Sequence, residues 1–185
     1  MDEKLIDMYA VATFFFSTGG ISWTNTTKWK SSDPVCVWHG IDCDEGGYVT
    51  AIELANNALA GVIPRELGML APRRIGSGDH RITGLKRLDL SKNRIQGTIP
   101  EQVGLLTSIE RFLVNDNRLW GSIPAGISKW GESLQVASFA DNTFLKGTVP
   151  KHLCYRGIAK IAVDCDSVRC SCCSCDDEHD SIDDD

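Results

Sequence analysis

The chain has 185 residues, 42% of them hydrophobic and 24% charged, enough for one domain with a continuous core. Its formal net charge is −6, but seven acidic side chains crowd between Asp176 and Asp185, and without them the body stands at +1. No basic field points to nucleic acid, and no run of about 18 apolar residues is there to span a membrane.

Residues 2–17, DEKLIDMYAVATFFFS, read as an amphipathic helix. Leu5, Tyr9, Ala12 and Phe16 keep the three-to-four spacing of one face, which predicts that this face packs on the core. Asp2 and Glu3 suit the positive N-terminal end, and Gly19-Gly20 stops the helix. Its acidic start and short apolar run do not read as a signal peptide. Next comes a stretch rich in tryptophan, with Trp23, Trp29 and Trp38, and with Cys36 and Cys43 inside DPVCVWHGIDCD. Asn25-Thr26-Thr27 is the only Asn-x-Ser/Thr triplet, which predicts a glycan on Asn25 in a secreted eukaryotic protein.

The centre of the chain repeats. Leu85, Leu88, Leu90, Asn93, Ile95, Gly97, Ile99 and Pro100 set a frame. It recurs upstream as Val49, Ile52, Leu54, Asn57, Leu59, Gly61, Ile63 and Pro64. Downstream it returns as Ile109, Phe112, Val114, Asn117, Leu119, Gly121, Ile123 and Pro124, and more weakly as Leu134, Ala137, Phe139, Asn142, Leu145, Gly147, Val149 and Pro150. The asparagines at 57, 93, 117 and 142 are 36, 24 and 25 residues apart, and a period near 24 marks a solenoid. Each turn cannot bury its apolar side alone, so stacked turns share one core and align their short strands. The frame asparagines are expected to point inward and satisfy backbone groups of the turning chain, because a buried amide left unpaired costs about 1–3 kcal/mol.

The long step leaves an extra segment at residues 71–82, APRRIGSGDHRI. Its Arg73, Arg74 and Arg81 make a basic loop, expected to contact an acidic partner; the plainer reading is a tolerated excursion, since a longer loop adds little closure entropy. Six further cysteines follow the repeats: Cys154, Cys165, Cys170, Cys172, Cys173 and Cys175. The eight cysteines of the chain are an even number placed at the two ends of the repeats, which favours an oxidising compartment, and the pairing of these six stays open among 15 connectivities. A soft-metal thiolate cluster is the competing reading of CSCCSC, and the weaker one; no metal or other cofactor is expected. The tail over 176–185 has almost no apolar content and reads as disordered.

The four Gly-x-Ile-Pro or Gly-x-Val-Pro motifs in one register make residues 48–154 resemble plant-type leucine-rich repeats. That class includes receptor-kinase ectodomains and secreted polygalacturonase-inhibitor-like proteins. The resemblance implies an α/β solenoid: a short right-handed coil with a parallel β-sheet on its concave face, a helical N-terminal cap over 1–47 and a disulfide-rich C-terminal cap over 155–175. It also implies a Cys36–Cys43 disulfide, with the tryptophans covering the open end of the core. On the concave face, the strand positions beside the frame leucines place Glu53, Arg87, Asp89, Arg111, Leu113, Asn115 and Ser138 as the candidate ligand contacts.

Nothing here reads as an enzyme. His39, His80, His152 and His179 have no nucleophile or carboxylate partner by motif, and Gly-x-Ser-x-Gly, His-Glu-x-x-His, P-loop and kinase motifs are absent. The expected function is an extracellular or cell-surface recognition module for a protein or peptide ligand. The alternatives are an inhibitor of a secreted hydrolase and, ranked lower, glycan or ice-surface binding through the opposite side. There the motif residues Val62, Thr98, Ser122 and Thr148 form a partly threonine column.

Overall fold

The computed structural model describes residues 3–74, 82–154 and 160–175. Among these described residues one helix, α1 (Glu3–Ser17), leads into fourteen short strands joined by turns and 3-10 segments. In chain order the strands are β1 (Ile41–Cys43), β2 (Val49–Glu53), β3 (Ala60–Val62), β4 (Arg73–Arg74), β5 (Ile82–Thr83), β6 (Arg87–Asp89) and β7 (Arg94–Gly97). Then come β8 (Arg111–Leu113), β9 (Arg118–Ser122), β10 (Val136–Ser138), β11 (Phe144–Thr148), β12 (Lys160–Val163), β13 (Val168–Arg169) and β14 (Ser174–Cys175).

Each repeat gives one strand to each of two sheets. The larger runs β1-β2-β6-β8-β10-β12-β14, parallel except for the antiparallel β1 at its edge. The smaller, here the flank sheet, runs β13-β11-β9-β7-β3 and is parallel throughout. Between them lie the frame side chains: Leu85, Leu88, Leu90, Ile95, Ile99, Phe112, Val114 and Leu119 are all buried. The sheets continue past the four repeats. Lys160–Val163 pairs with β10, and Val168–Arg169 pairs with β11, so a fifth coil lies within the cysteine-rich end.

The asparagines form the expected inner ladder. Asn93 Oδ1 accepts from the Asn57 and Leu59 amides at 3.0 and 2.9 Å, while its Nδ2 donates to the carbonyls of Leu54, Leu90 and Ser91. Asn117 and Asn142 repeat the pattern one and two coils on, accepting from Ile95 and Leu119. The residues just before the frame asparagines, Asn56, Lys92, Asp116 and Asp141, hold positive φ between 50° and 57°, so the tight turn uses the left-handed region without glycine. Gly121, at φ 86°, is different: a Cβ there would meet Thr98 Cγ2 at 2.9 Å. At the last rung a carboxylate takes over, with Asp164 accepting from the Asp141 and Asn142 amides at 2.8 and 3.0 Å. An acceptor suffices where the outermost amides still need a partner.

The helix is turned the other way from the sequence expectation. Asp7, Ala10, Val11, Phe14 and Phe15 are buried, whereas Leu5, Tyr9 and Phe16 are 49%, 55% and 67% exposed. Both stripes are apolar, so periodicity does not choose between them. Asp7 fixes the rotation. Its carboxylate accepts from the Val49 amide at 2.9 Å and from the Arg73 guanidinium, which puts the Asp7 side against the first coil. Three indoles finish this end. Trp23, Trp29 and Trp38 are buried, and each Nε1 donates to a carbonyl, of Thr18, His39 and Asp33 respectively. Phe15 stacks on Trp29 at 5.3 Å, and Trp23 meets Trp29 edge-on at 4.8 Å.

Candidate functional site

The concave sheet places its outward residues in registered rows. One row reads Ala51, Arg87, Arg111, Val136, Lys160, and the next reads Glu53, Asp89, Leu113, Ser138, Ala162. Neighbouring strands sit about 4.8 Å apart, so side chains along a row touch or nearly touch. The rows differ in charge state. Arg87 is committed within the molecule: its Nη2 lies 2.7 Å from Asp42 Oδ2 and its Nε 3.1 Å from Glu53 Oε1. The hydrogen bond to Glu53 leads in holding the Arg87 pKa above its usual value, against a smaller effect of burial. Asp89 is also occupied, since its Oδ1 accepts from the Ser91 amide and hydroxyl. Arg111 and Lys160 make no side-chain hydrogen bond or ion pair among the described residues. They form a cationic pair of positions with Val136 between them in the row.

Two of the candidate contacts are less open than their place in the frame implies. Leu113 is 5% exposed and Ser138 is 3% exposed, so neither offers a side chain to a ligand in this conformation. Asn115 is half-buried beside them. Sequence position fixes the side of the sheet but not how neighbouring side chains close over a residue.

Arg73 departs furthest from expectation. It is no free loop cation. Its guanidinium pairs with the buried Asp7, donates to the Glu3 carbonyl at 3.2 Å, and lies 5.8 Å from the Tyr48 ring centre. The base of the insertion is a two-stranded hairpin, β4 against β5, whose Thr83 hydroxyl donates to Asp44 at 2.9 Å. Arg73 therefore ties the insertion to the N-terminal cap. Arg74 is exposed, and Arg81 lies outside the described residues.

The cysteines pair as Cys36–Cys43, Cys154–Cys172, Cys165–Cys175 and Cys170–Cys173. The sulfurs of Cys154, Cys170 and Cys172 fall within 4.8 Å of one another, but each belongs to a disulfide and has no thiolate to offer a metal. Asn25 is partly buried at the cap. Its Oδ1 accepts from the Thr27 amide and hydroxyl at 3.0 and 2.7 Å, and its backbone closes the asparagine ladder on Asn57.

Sequence reasoning placed Val62, Thr98, Ser122 and Thr148 on the flank side but overlooked its aromatic side chains. Trp120 and Phe144, registered partners on β9 and β11, are 53% and 68% exposed. The signal was visible: an aromatic stands between frame leucine and frame glycine at Trp120, where the other repeats have Ala60, Gln96 and Lys146.

The Leucine Rich Repeat family model matches residues 84–106, the stretch that sets the frame. The ectodomain of BIR2 from Arabidopsis thaliana superimposes with a TM-score of 0.67 over 91% of this chain and 94% of that one, at 20% identity. Residues 84–106 carry a leucine-rich repeat, and the chain has the fold of that plant leucine-rich repeat ectodomain. The HAESA ectodomain of the same plant, solved with an IDA peptide hormone, gives a TM-score of 0.65 at 20% identity over 92% of this chain and 26% of that one. Among curated relatives, the Arabidopsis receptor-like kinase TMK2 is 31% identical over 145 residues, which is 78% of this chain and 14% of the kinase. The chain spans between 9% and 14% of the length of the first curated relatives it matches.

Proposed function

We infer that this chain is an extracellular or cell-surface recognition module that takes a protein or peptide ligand on its concave sheet. One observation carries the reading. In the middle of that sheet Arg111 makes no side-chain hydrogen bond or ion pair among the described residues, while the neighbouring Arg87 pairs with Asp42 and Glu53. Such a cation on a rigid strand, next to half-buried Asn115, is a ready contact for an acidic or carbonyl-rich ligand. The peptide seen on the HAESA ectodomain supports a ligand of this class. Four disulfides suit an oxidising compartment. No described helix is long and apolar enough to cross a membrane. The site acts by presenting a surface, and no catalytic role is assigned to it.

The test is an affinity capture from secreted plant-tissue fractions with the oxidised protein, read by mass spectrometry. Arg111→Glu abolishes capture of the specific partner, and Arg74→Glu, on the insertion, leaves it intact. Capture that survives Arg111→Glu and fails with Arg74→Glu would move the site off the concave sheet.

A further inference from the structure

The cysteine-rich end brings two disulfides side by side. Cys154–Cys172 closes a long loop, with a sequence separation of 18, and Cys170–Cys173 a short one, with a separation of 3. Cys170 Sγ lies 4.0 Å from Cys172 Sγ, and the sulfurs of Cys154, Cys170 and Cys172 all fall within 4.8 Å of one another. Access differs among the four. Cys172 is exposed, whereas Cys154, Cys170 and Cys173 are half-buried, the last two against the core. Between the two bridges in sequence, the Ser171 hydroxyl donates to Cys154 Sγ at 3.4 Å.

We propose that Cys172 is a site of mixed-disulfide formation with a small thiol, and that the opened bridge is passed through Cys154 to Cys170, leaving Cys173 as the free thiol. In the first step the thiolate of the small thiol attacks Cys172 Sγ. A sulfur–sulfur bond forms there, Cys172–Cys154 breaks, and its electron pair leaves on Cys154. Access selects the attacked sulfur, and the Ser171 hydroxyl steadies the departing thiolate. In the second step the Cys154 thiolate attacks the neighbouring Cys170 Sγ. Cys154–Cys170 forms, Cys170–Cys173 breaks, and Cys173 keeps the electron pair and takes a proton from water. Each step exchanges one disulfide for another, so neither oxidant nor reductant beyond the thiol is needed. Loop length sets the direction. A bridge restrains the unfolded chain more when its loop is longer. The relay keeps Cys154 tied to the end coil and gives up the short loop. Cys165–Cys175 is as open to water, but neither of its sulfurs accepts a hydrogen bond among the described residues. This chemistry is separate from the concave site, and its failure leaves that reading standing.

The probe is free L-cysteine added to the oxidised protein, followed by acid quenching, alkylation with N-ethylmaleimide and peptide mapping by fragmentation mass spectrometry. At completion the added thiol sits on Cys172, the maleimide on Cys173, and a Cys154–Cys170 cross-link joins them, while Cys36–Cys43 and Cys165–Cys175 stay closed. Cys170→Ser with Cys173→Ser, which removes only the short loop, takes up the probe at the wild-type rate but leaves the maleimide on Cys154. Ser171→Ala slows the first step about threefold. Arg111→Glu reacts as the wild type does. Addition at Cys170 or Cys173 with Cys154–Cys172 intact, a maleimide that ends on Cys154 in the wild type, or earlier opening of Cys165–Cys175 would each overturn the proposal.

Discussion

The two ends of the coil are closed by opposite means. At the N-terminal end a whole helix and three indoles lie over the first coil, with a single disulfide, Cys36–Cys43, beside them. At the C-terminal end β12, β13 and β14 supply few large side chains, and three disulfides link residues 154–175. Cys165, Cys172 and Cys175 are exposed there, whereas Phe14, Phe15 and Trp29 are buried at the other end. An end coil needs a cover for its leucines and partners for its amides. A segment with enough apolar mass supplies the cover by burial. A short one cannot bury enough surface, and cross-links limit its unfolded freedom instead. At one end the Asn57 side chain accepts from the Asn25 amide and donates to the Asn25 carbonyl, and at the other the Asp164 carboxylate accepts from the Asp141 and Asn142 amides.

The largest test of this contrast is Trp29→Ala. It opens a cavity beneath Phe15 and Trp23, and we expect a loss of about 3–5 kcal/mol in urea unfolding. A loss below about 1 kcal/mol would mean that burial does not seal that end. Asn93→Leu, in the shared interior, should cost roughly 3 kcal/mol despite its apolar gain, because two amides and three carbonyls lose their partner. Arg73→Ala follows at about 2–3 kcal/mol, since it strands Asp7 in the cap; the Arg73 side chain is 19% exposed, which lightens the loss. Restoration in the double variant Asp7→Asn with Arg73→Ala would show that the stranded charge is the cause. Mild reductant then separates the ends directly. The exposed C-terminal cysteines should alkylate first while tryptophan emission stays native; simultaneous loss of both would merge the two ends into one cooperative unit.

Much of this architecture was legible in the residues. The frame leucines, the asparagine ladder and the extra segment follow from one period, because every coil repeats the same burial problem. Three features were not. The rotation of α1 was ambiguous because Leu5, Tyr9 and Phe16 are as apolar as Ala10, Val11 and Phe14, and the deciding partner of Asp7 lies 42 residues away at Val49. The fifth coil was hidden because Ile161, Val163 and Val168 keep the burial without the Asn and Gly-x-Ile-Pro marks. The role of Arg73 required knowing that an insertion folds back onto the cap rather than outward. On the candidate site, the frame put Arg87 and Arg111 on one side of the sheet. The difference between them depends on Asp42, which comes from the antiparallel edge strand and belongs to no repeat.

The smallest effect sharpens what seals the N-terminal end. Asp33 lies in the tryptophan segment, its side chain 40% exposed, with Lys28 Nζ at 2.8 Å and Ser31 Oγ at 3.2 Å. The Lys28 hydrogen bond, and then that of Ser31, hold its carboxyl below the usual carboxylate range. A carboxyl whose pKa is lowered by folding adds stability above its unfolded pKa, and that stability fades as pH falls through the folded value. Lys28→Ala should therefore raise the Asp33 pKa toward the ordinary range in a carbon-detected NMR titration. It should leave acid-side melting unchanged and barely lower the melting point at neutral pH, by an amount that salt removes. The cap is held by buried rings and satisfied indoles, so a surface pair at its rim has little to add. A drop in melting point at pH 7 comparable to that of Trp29→Ala would reverse this order, making charge rather than apolar cover the seal.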